Sequence, residues 1–134
     1  MWYSYGIVRV VPRVERGEFV NVGVVLFSRE LDFLEARLAV DEARLRSLAP
    51  GVDIPTVERH LAMFQAICEG AVEGGAIAAL PKPERFHWLV APRSTMIQTS
   101  PVHVGRSQDP GRALEDLLNE FVRPVSQAAL ADGA

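Results

Sequence analysis

The sequence predicts an α+β domain built on an antiparallel sheet of three to four strands, with an N-terminal hairpin and about three helices packed mainly on one face. Two observations carry this prediction. Segments in the first third of the chain alternate with the period of two that is typical of strands, and later segments begin at capping residues and repeat apolar residues at helical spacing. The 134 residues fit one domain, which we predict over 1–134.

The strands are predicted from alternation and from turn residues. Residues 2–12 are rich in aromatic and β-branched types, and residues 19–27 alternate so that Val20, Val22, Val24 and Leu26 form one apolar face, on which we expect the helices to pack. The charged connection between these two segments contains Gly17, which favours an antiparallel hairpin. Residues 33–40 predict a third strand. Residues 93–104 are interrupted by Pro101 and predict an edge strand or a strand followed by a turn.

The helices are predicted from capping residues and apolar stripes. Asp41 caps a short helix that stops at Pro50, and Asp53 caps a longer one that ends at Gly70 and carries Cys68 in its apolar stripe. Asp109-Pro110 opens a last helix that ends near Pro124. Residues 70–84 are rich in Gly, Ala and Pro and predict a surface loop, and we expect residues 125–134 to be a frayed tail.

Composition excludes several classes of protein. The net charge of −3 provides no diffuse positive field for nucleic acid, so nucleic-acid binding is not expected. Cys68 is the only cysteine, which excludes an intrachain disulfide and a multi-cysteine metal site and fits a reducing compartment. The N-terminus lacks the pattern of a signal peptide, and no apolar run is long enough to span a membrane. We therefore expect a cytoplasmic protein that folds without a metal or cofactor.

A first cluster of polar residues surrounds the predicted hairpin turn. It consists of Arg13, Glu15, Arg16, Glu18 and Asn21. Arginine presents a planar fork that suits an anion or a partner's carboxylate. A solvated, charged turn explains the same residues and is the interpretation that the bare sequence favours. Asn21 is the unusual member, because a polar residue inside a valine-rich strand must face solvent or find buried partners.

A second cluster lies further along the chain. It consists of Arg85, His87, Trp88, Arg93, Ser94 and Thr95, with His103 downstream. These residue types could hold phosphate or carry out acid–base chemistry. The sequence contains no glycine-rich phosphate loop, nucleophile elbow or HExxH metal motif, so local packing and hydrogen bonding are the favoured interpretation.

The same segments carry a resemblance to a known family. Tyr5 to Pro12, Glu15 to Leu26, Asp41 to Leu45, and Arg85-Phe86-His87-Trp88 through Arg93-Ser94-Thr95 resemble the bacterial domain of unknown function 3037. The resemblance covers about residues 3–123, and its most specific part is Arg-Gly-Glu-x-x-Asn-x-Gly over residues 16–23. It implies that both polar clusters are family features, but it implies no reaction. Members of the family look like frequent genomic neighbours of a HipA-like kinase, which implies a partner of that type.

Two functional hypotheses follow. The leading one is a non-enzymatic protein-interaction or accessory module, acting with a HipA-like kinase, in which residues 13–21 and 85–95 form one polar surface. The alternative is a small phosphate- or nucleotide-binding domain or enzyme, with Arg16, Arg85 and Arg93 holding phosphate. The alternative requires these arginines to converge on one pocket. Exposed edge strands also make a homodimer plausible.

Overall fold

A computed structural model describes residues 1–124 and contains five strands and five helices. The elements, in chain order, are β1 (Trp2–Val10), β2 (Val20–Ser28), β3 (Phe33–Leu38), α1 (Glu42–Leu48), α2 (Ile54–Glu69), α3 (Gly75–Ala78), α4 (Lys82–Val90), β4 (Ile97–Thr99), β5 (His103–Arg106) and α5 (Pro110–Phe121). The α+β class and the antiparallel sheet are confirmed, whereas the expected numbers of strands and helices are too low. The predicted tail, 125–134, lies outside the described residues.

The sheet has the order β3-β2-β1-β4, and β5 also pairs with β1. β4 pairs with Val8–Val10 and β5 with Trp2–Tyr5, so both lie on the same side of β1. Pro101 separates them because proline has no N–H to donate to a ladder. The predicted interrupted edge strand is therefore confirmed as two short strands.

A β-bulge in β2 corrects the expectation that Val20, Val22, Val24 and Leu26 form one face of the sheet. Val8 pairs with Gly23, but the next residue, Arg9, pairs with Asn21, which leaves Val22 as an extra residue. An extra residue in a strand reverses which face of the sheet the side chains beyond it point to. Val20 and Val22 therefore pack against α1, α2 and α4, whereas Val24 and Leu26 pack against α5. The helices therefore pack mainly on the face of Val20 and Val22, as predicted, and α5 covers the opposite face.

Local capping chemistry sets where the main helices begin. The carboxylates of Asp41, Asp53 and Asp109 accept hydrogen bonds from backbone N–H groups three residues later, at 3.1–3.2 Å. Gly70 ends α2 in the left-handed conformation, with φ 72°. The predicted starts of α1, α2 and α5 are therefore confirmed. Cys68 is fully buried in α2, as its position in the apolar stripe predicted.

The expectation of a surface loop over 70–84 is wrong. This segment contains a 3₁₀ turn at Val72–Gly74, the short helix α3 and the beginning of α4. Pro81 and Pro83 flank the first residue of α4, where a missing N–H costs nothing because the first turn of a helix has no intrahelical acceptor for it. Each helix in the described part of the chain is too short or too polar to cross a bilayer.

Candidate functional site

The residues of the specific motif over 16–23 have distinct structural roles. Gly17 adopts φ 71° after a 3₁₀ turn, and Arg16 forms an exposed ion pair with Glu18. The Nδ2 atom of Asn21 donates to the carbonyl of Phe121 at 3.0 Å and so caps the C-terminal end of α5. A Cβ atom on Gly23 would lie 2.6 Å from the carbonyl oxygen of Arg37. The motif therefore largely encodes architecture, and its exposed polar part is the Arg16–Glu18 pair.

The hydrogen bond between these two side chains shifts both pKa values. It raises the pKa of the Arg16 guanidinium and lowers the pKa of the Glu18 carboxyl. The pair lines a shallow pocket of about 230 Å³, which we call the hairpin groove. Its walls are Pro12, Arg13, Arg16, Glu18, Leu48, Ala49 and Pro50. Glu15 is exposed on the same turn and does not line the groove.

The second predicted cluster lies on α4 and the segment that follows it. The Nη1 atom of Arg85 donates to the carbonyls of Ala78 and Leu80, at 3.3 and 3.1 Å. Arg93 donates to the carbonyl of Trp88, and its guanidinium stacks 4.2 Å from the centre of the Trp88 ring. Partial burial lowers the pKa of Arg93. Both arginines therefore already bind backbone oxygens of the chain.

The remaining members of the second cluster do not share a common environment. His87 and Ser94 are exposed. Thr95 is also exposed, and its hydroxyl donates to the carbonyl of Ile97 at 2.9 Å. His103 lies on β5, with its ring 5.5 Å from that of Tyr5. The histidines are thus carried by different elements, α4 and β5.

Trp88, Arg93 and Thr95 line a larger pocket of about 420 Å³ between α2, α4 and β4, which we call the apolar groove. Its apolar lining is Met63, Phe64, Ile67, Trp88 and Ile97, and its polar lining is His60, Arg93 and Thr95. Met63 and Trp88 are 48% and 39% exposed. The groove therefore presents two large apolar side chains to solvent beside a guanidinium.

The members of the two predicted polar clusters that line a groove therefore line separate ones. Arg16 lines the hairpin groove and Arg93 lines the apolar groove, and the two grooves share no lining residue. Their supporting segments are nevertheless neighbours, because the amide of Val11 donates to the carbonyl of Met96 at 2.7 Å. The described residues contain no group of three or more metal-ligating side chains that could hold a metal ion.

Three residues outside the predicted clusters are exposed at the apolar groove or are partly buried charges in the sheet. His60 and Met63 lie on α2 and reach the apolar groove, and His60 is exposed. Arg9 lies within β1, half-buried and stacked on Phe19, with its guanidinium carbon 4.0 Å from the ring centre. The sequence offered a signal for Arg9, since it is the one charged residue among the apolar residues 6–11.

Comparison with known proteins identifies the family without adding an activity. No curated protein and no solved structure matches the chain. A family model described as a protein of unknown function, DUF3037, matches residues 5–122, and these include both polar clusters. Because the match covers most of the chain, this protein belongs to the DUF3037 family.

Proposed function

We propose that this chain is a non-enzymatic protein-interaction module that binds a partner protein in the apolar groove. The observation that carries the proposal is the exposure of Met63 and Trp88 at a concave, mostly apolar surface. Concave apolar surfaces are typical binding sites, and tryptophan is enriched among the residues that dominate binding energy. Guanidinium stacking on Trp88 also orients the indole before a partner arrives, which lowers the entropic cost of binding.

Charge indicates the chemistry of the partner. The residues that line the apolar groove include Arg93 and His60 and no carboxylate. An apolar side chain flanked by Asp or Glu would fill the groove and place its carboxylate beside Arg93. The proposed ligand is therefore an apolar segment of a protein with an acidic residue next to its anchor.

A HipA-like kinase is the candidate partner. Family members look like frequent genomic neighbours of such a kinase, and this association motivates the choice. The proposed binding site is smaller than the single polar surface expected from residues 13–21 and 85–95. Trp88, Arg93 and Thr95 form the binding site, and the hairpin groove beside it can make secondary contacts.

Calorimetric titration of the full chain with the purified neighbouring kinase tests the proposal. We expect Trp88→Ala to weaken binding about 30-fold, the loss typical of an anchor worth about 2 kcal/mol. Trp2→Ala is the matched control, because Trp2 is 57% exposed and also lies under an arginine, Arg106, at 5.0 Å. Circular dichroism of both variants verifies that they are folded.

Three outcomes would contradict the proposal or a part of it. Wild-type affinity of Trp88→Ala for the kinase would exclude the apolar groove as the binding site. The interaction role would be refuted if neither the kinase nor any other protein binds stoichiometrically in a quantitative pull-down. Self-association that Trp88→Ala abolishes would instead identify a second copy of this chain as the occupant and would remove the kinase from the proposal.

The phosphate-binding alternative has less support. It needs Arg16, Arg85 and Arg93 in one pocket, but Arg16 and Arg93 line different grooves. Arg85 and Arg93 also donate to backbone carbonyls, which occupy part of their hydrogen-bonding capacity. A single phosphate held by all three arginines would require Arg16 and Arg93 to leave their separate grooves.

A further inference from the structure

A row of three polar side chains crosses the sheet on the face opposite the apolar groove. Arg9 in β1 pairs with Asn21 in β2 on one side and with Gln98 in β4 on the other. The neighbouring residues Val8, Val10 and Ile97 face the core beneath α1, α2 and α4. Strand alternation therefore places the polar row on the α5 face, beyond the C-terminal end of that helix.

Arg9, at the centre of the row, has a side-chain donor without a hydrogen-bond partner. Its guanidinium is half-buried against Phe19, and its Nε atom is buried without a hydrogen-bond partner. None of the ion pairs among residues 1–124 includes Arg9. Burial lowers the pKa of the guanidinium, which agrees with a charge that has lost part of its hydration. A buried donor without an acceptor normally costs about 1–3 kcal/mol, so its presence calls for an explanation.

Asn21 supplies the complementary group. Its Nδ2 atom donates to Phe121 at the end of α5, but its Oδ1 atom is buried without a donor. The carbonyls at that helix end carry partial negative charge. They do not reach the Nε atom within hydrogen-bonding distance. A donor without an acceptor and an acceptor without a donor therefore lie on directly paired residues.

We propose that Arg9 and Asn21 bind a carboxylate whose neighbouring carbon carries a hydrogen-bond donor, as in 2-hydroxy acids and α-amino acids. The carboxylate accepts from the Nε–H and a terminal N–H of Arg9, the side-on geometry that a guanidinium fork offers. The adjacent hydroxyl or ammonium group donates to Oδ1 of Asn21. One positive charge matches one carboxylate, and the row contains no second cation for a phosphate dianion. Phe19, which is 43% exposed, lies over the guanidinium, so a ligand that reaches the Nε–H of Arg9 must displace this ring.

Nuclear magnetic resonance of the isotope-labelled full chain tests this site directly. The Nε–H signal of Arg9 and the side-chain amide signal of Asn21 are followed during titration with lactate, alanine, acetate and inorganic phosphate. We expect saturable shifts at both groups with lactate or alanine, binding about tenfold weaker with acetate, and no preference for phosphate. The tenfold difference corresponds to one hydrogen bond from the donor group to Asn21.

Three variants assign the shifts to their groups. Arg9→Gln should abolish the response, whereas Asn21→Ala should reduce lactate to the affinity of acetate. Arg112→Gln is the control, because it removes the same charge from an exposed position on α5 and should leave the titration unchanged. Because Asn21→Ala also removes a helix-capping bond, Asn21→Ser provides a second variant that retains a small polar group.

Several results would overturn the assignment. Equal affinities for acetate and lactate would show that Asn21 does not bind the donor group of the ligand. Tighter binding of phosphate would show that the site does not prefer carboxylates. Shifts that persist in Arg9→Gln would place the ligand elsewhere. No saturable shift with any of the four probes, together with a water signal in contact with the Nε–H of Arg9, would show that a bridging water alone satisfies the two groups.

Discussion

Replacing Gly23 with alanine should destabilise the protein through a steric clash in the middle of the sheet. Gly23 lies at the bulge of β2 and pairs with Val8 on one side and Leu38 on the other. A Cβ atom at this position would lie 2.5 Å from Cδ2 of Leu38 and 2.6 Å from the carbonyl oxygen of Arg37. The leucine side chain can rotate, but the carbonyl belongs to the backbone of β3 and is fixed by the ladder between β2 and β3.

The structure sets the expected size of the effect. Overpacking of an interior typically costs about 1–3 kcal/mol, and a clash with backbone belongs at the upper end. We therefore expect the free energy of unfolding to fall by about 3 kcal/mol. For a domain of this length, that corresponds to a melting temperature lower by about 10 °C.

Alanine variants of two other glycines distinguish a steric clash from backbone strain as the cause of the lost stability. Gly51 has no heavy atom within 4 Å of its virtual Cβ and no positive φ, so Gly51→Ala should change stability by less than about 1 kcal/mol. Gly17 is equally open but has φ 71°, so Gly17→Ala should cost about 1–2 kcal/mol from backbone strain alone. Urea denaturation followed by far-ultraviolet circular dichroism measures all three variants. A Gly23→Ala midpoint equal to that of Gly51→Ala would refute the steric argument.

Further predictions concern three side chains, Cys68, Glu115 and Arg85. Burial raises the pKa of Cys68 to about 12, so the thiol should resist an alkylating reagent in the native protein and react in urea. This raised pKa also contributes stability that is lost as the pH rises above the unfolded value near 9.0 towards 12, which an alkaline titration monitored by circular dichroism can detect. Contacts with Arg123 and Arg37 lower the pKa of Glu115, so Glu115→Gln should cost about 0.5–1 kcal/mol near neutral pH, and the difference from wild type should vanish as the pH falls through the lowered pKa. Arg85→Lys should lower the free energy of unfolding by about 1–2 kcal/mol in chemical denaturation and leave partner binding unchanged; a loss of binding without a loss of stability would contradict its structural role.

Features that depend on neighbouring residues were predictable from the sequence. The caps at Asp41, Asp53 and Asp109 were predicted because each carboxylate bonds an N–H three residues later. The break at Pro101 was predictable for the same reason, since its missing N–H acts locally. Burial of Cys68 followed from helical periodicity, which places it in line with the apolar stripe of α2.

The division of the β2 side chains between the two faces of the sheet was not predictable. In the second half of β2 the side chains on both faces of the strand are apolar, because Val25 and Phe27 alternate with Val24 and Leu26. The sequence pattern is therefore compatible with either face pointing to the core. The bulge at Val22 decides which side chains of each half of the strand lie on which face. The segment around Pro81 was misassigned because proline in a first helical turn has the same composition as proline in a loop.

The candidate sites were only partly predictable. Trp88, Arg93 and Thr95 were identified from the sequence, but His60 and Met63 complete the apolar groove from another helix. The side-by-side positions of Arg9 and Asn21 depend on the register of β1 and β2, and the bulge sets that register.

The sequence by itself determined the class of fold, the starts of the main helices, the interrupted edge strand and the residue types available to a binding site. Each of these depends on interactions within a few residues, which the order of amino acids specifies directly. Only the tertiary structure decided that the two polar clusters contribute residues to separate grooves, that Arg85 and Arg93 donate to backbone carbonyls, and that Arg9 lies beside Asn21. These relations join residues that are distant in the chain, and packing and strand register alone bring them together.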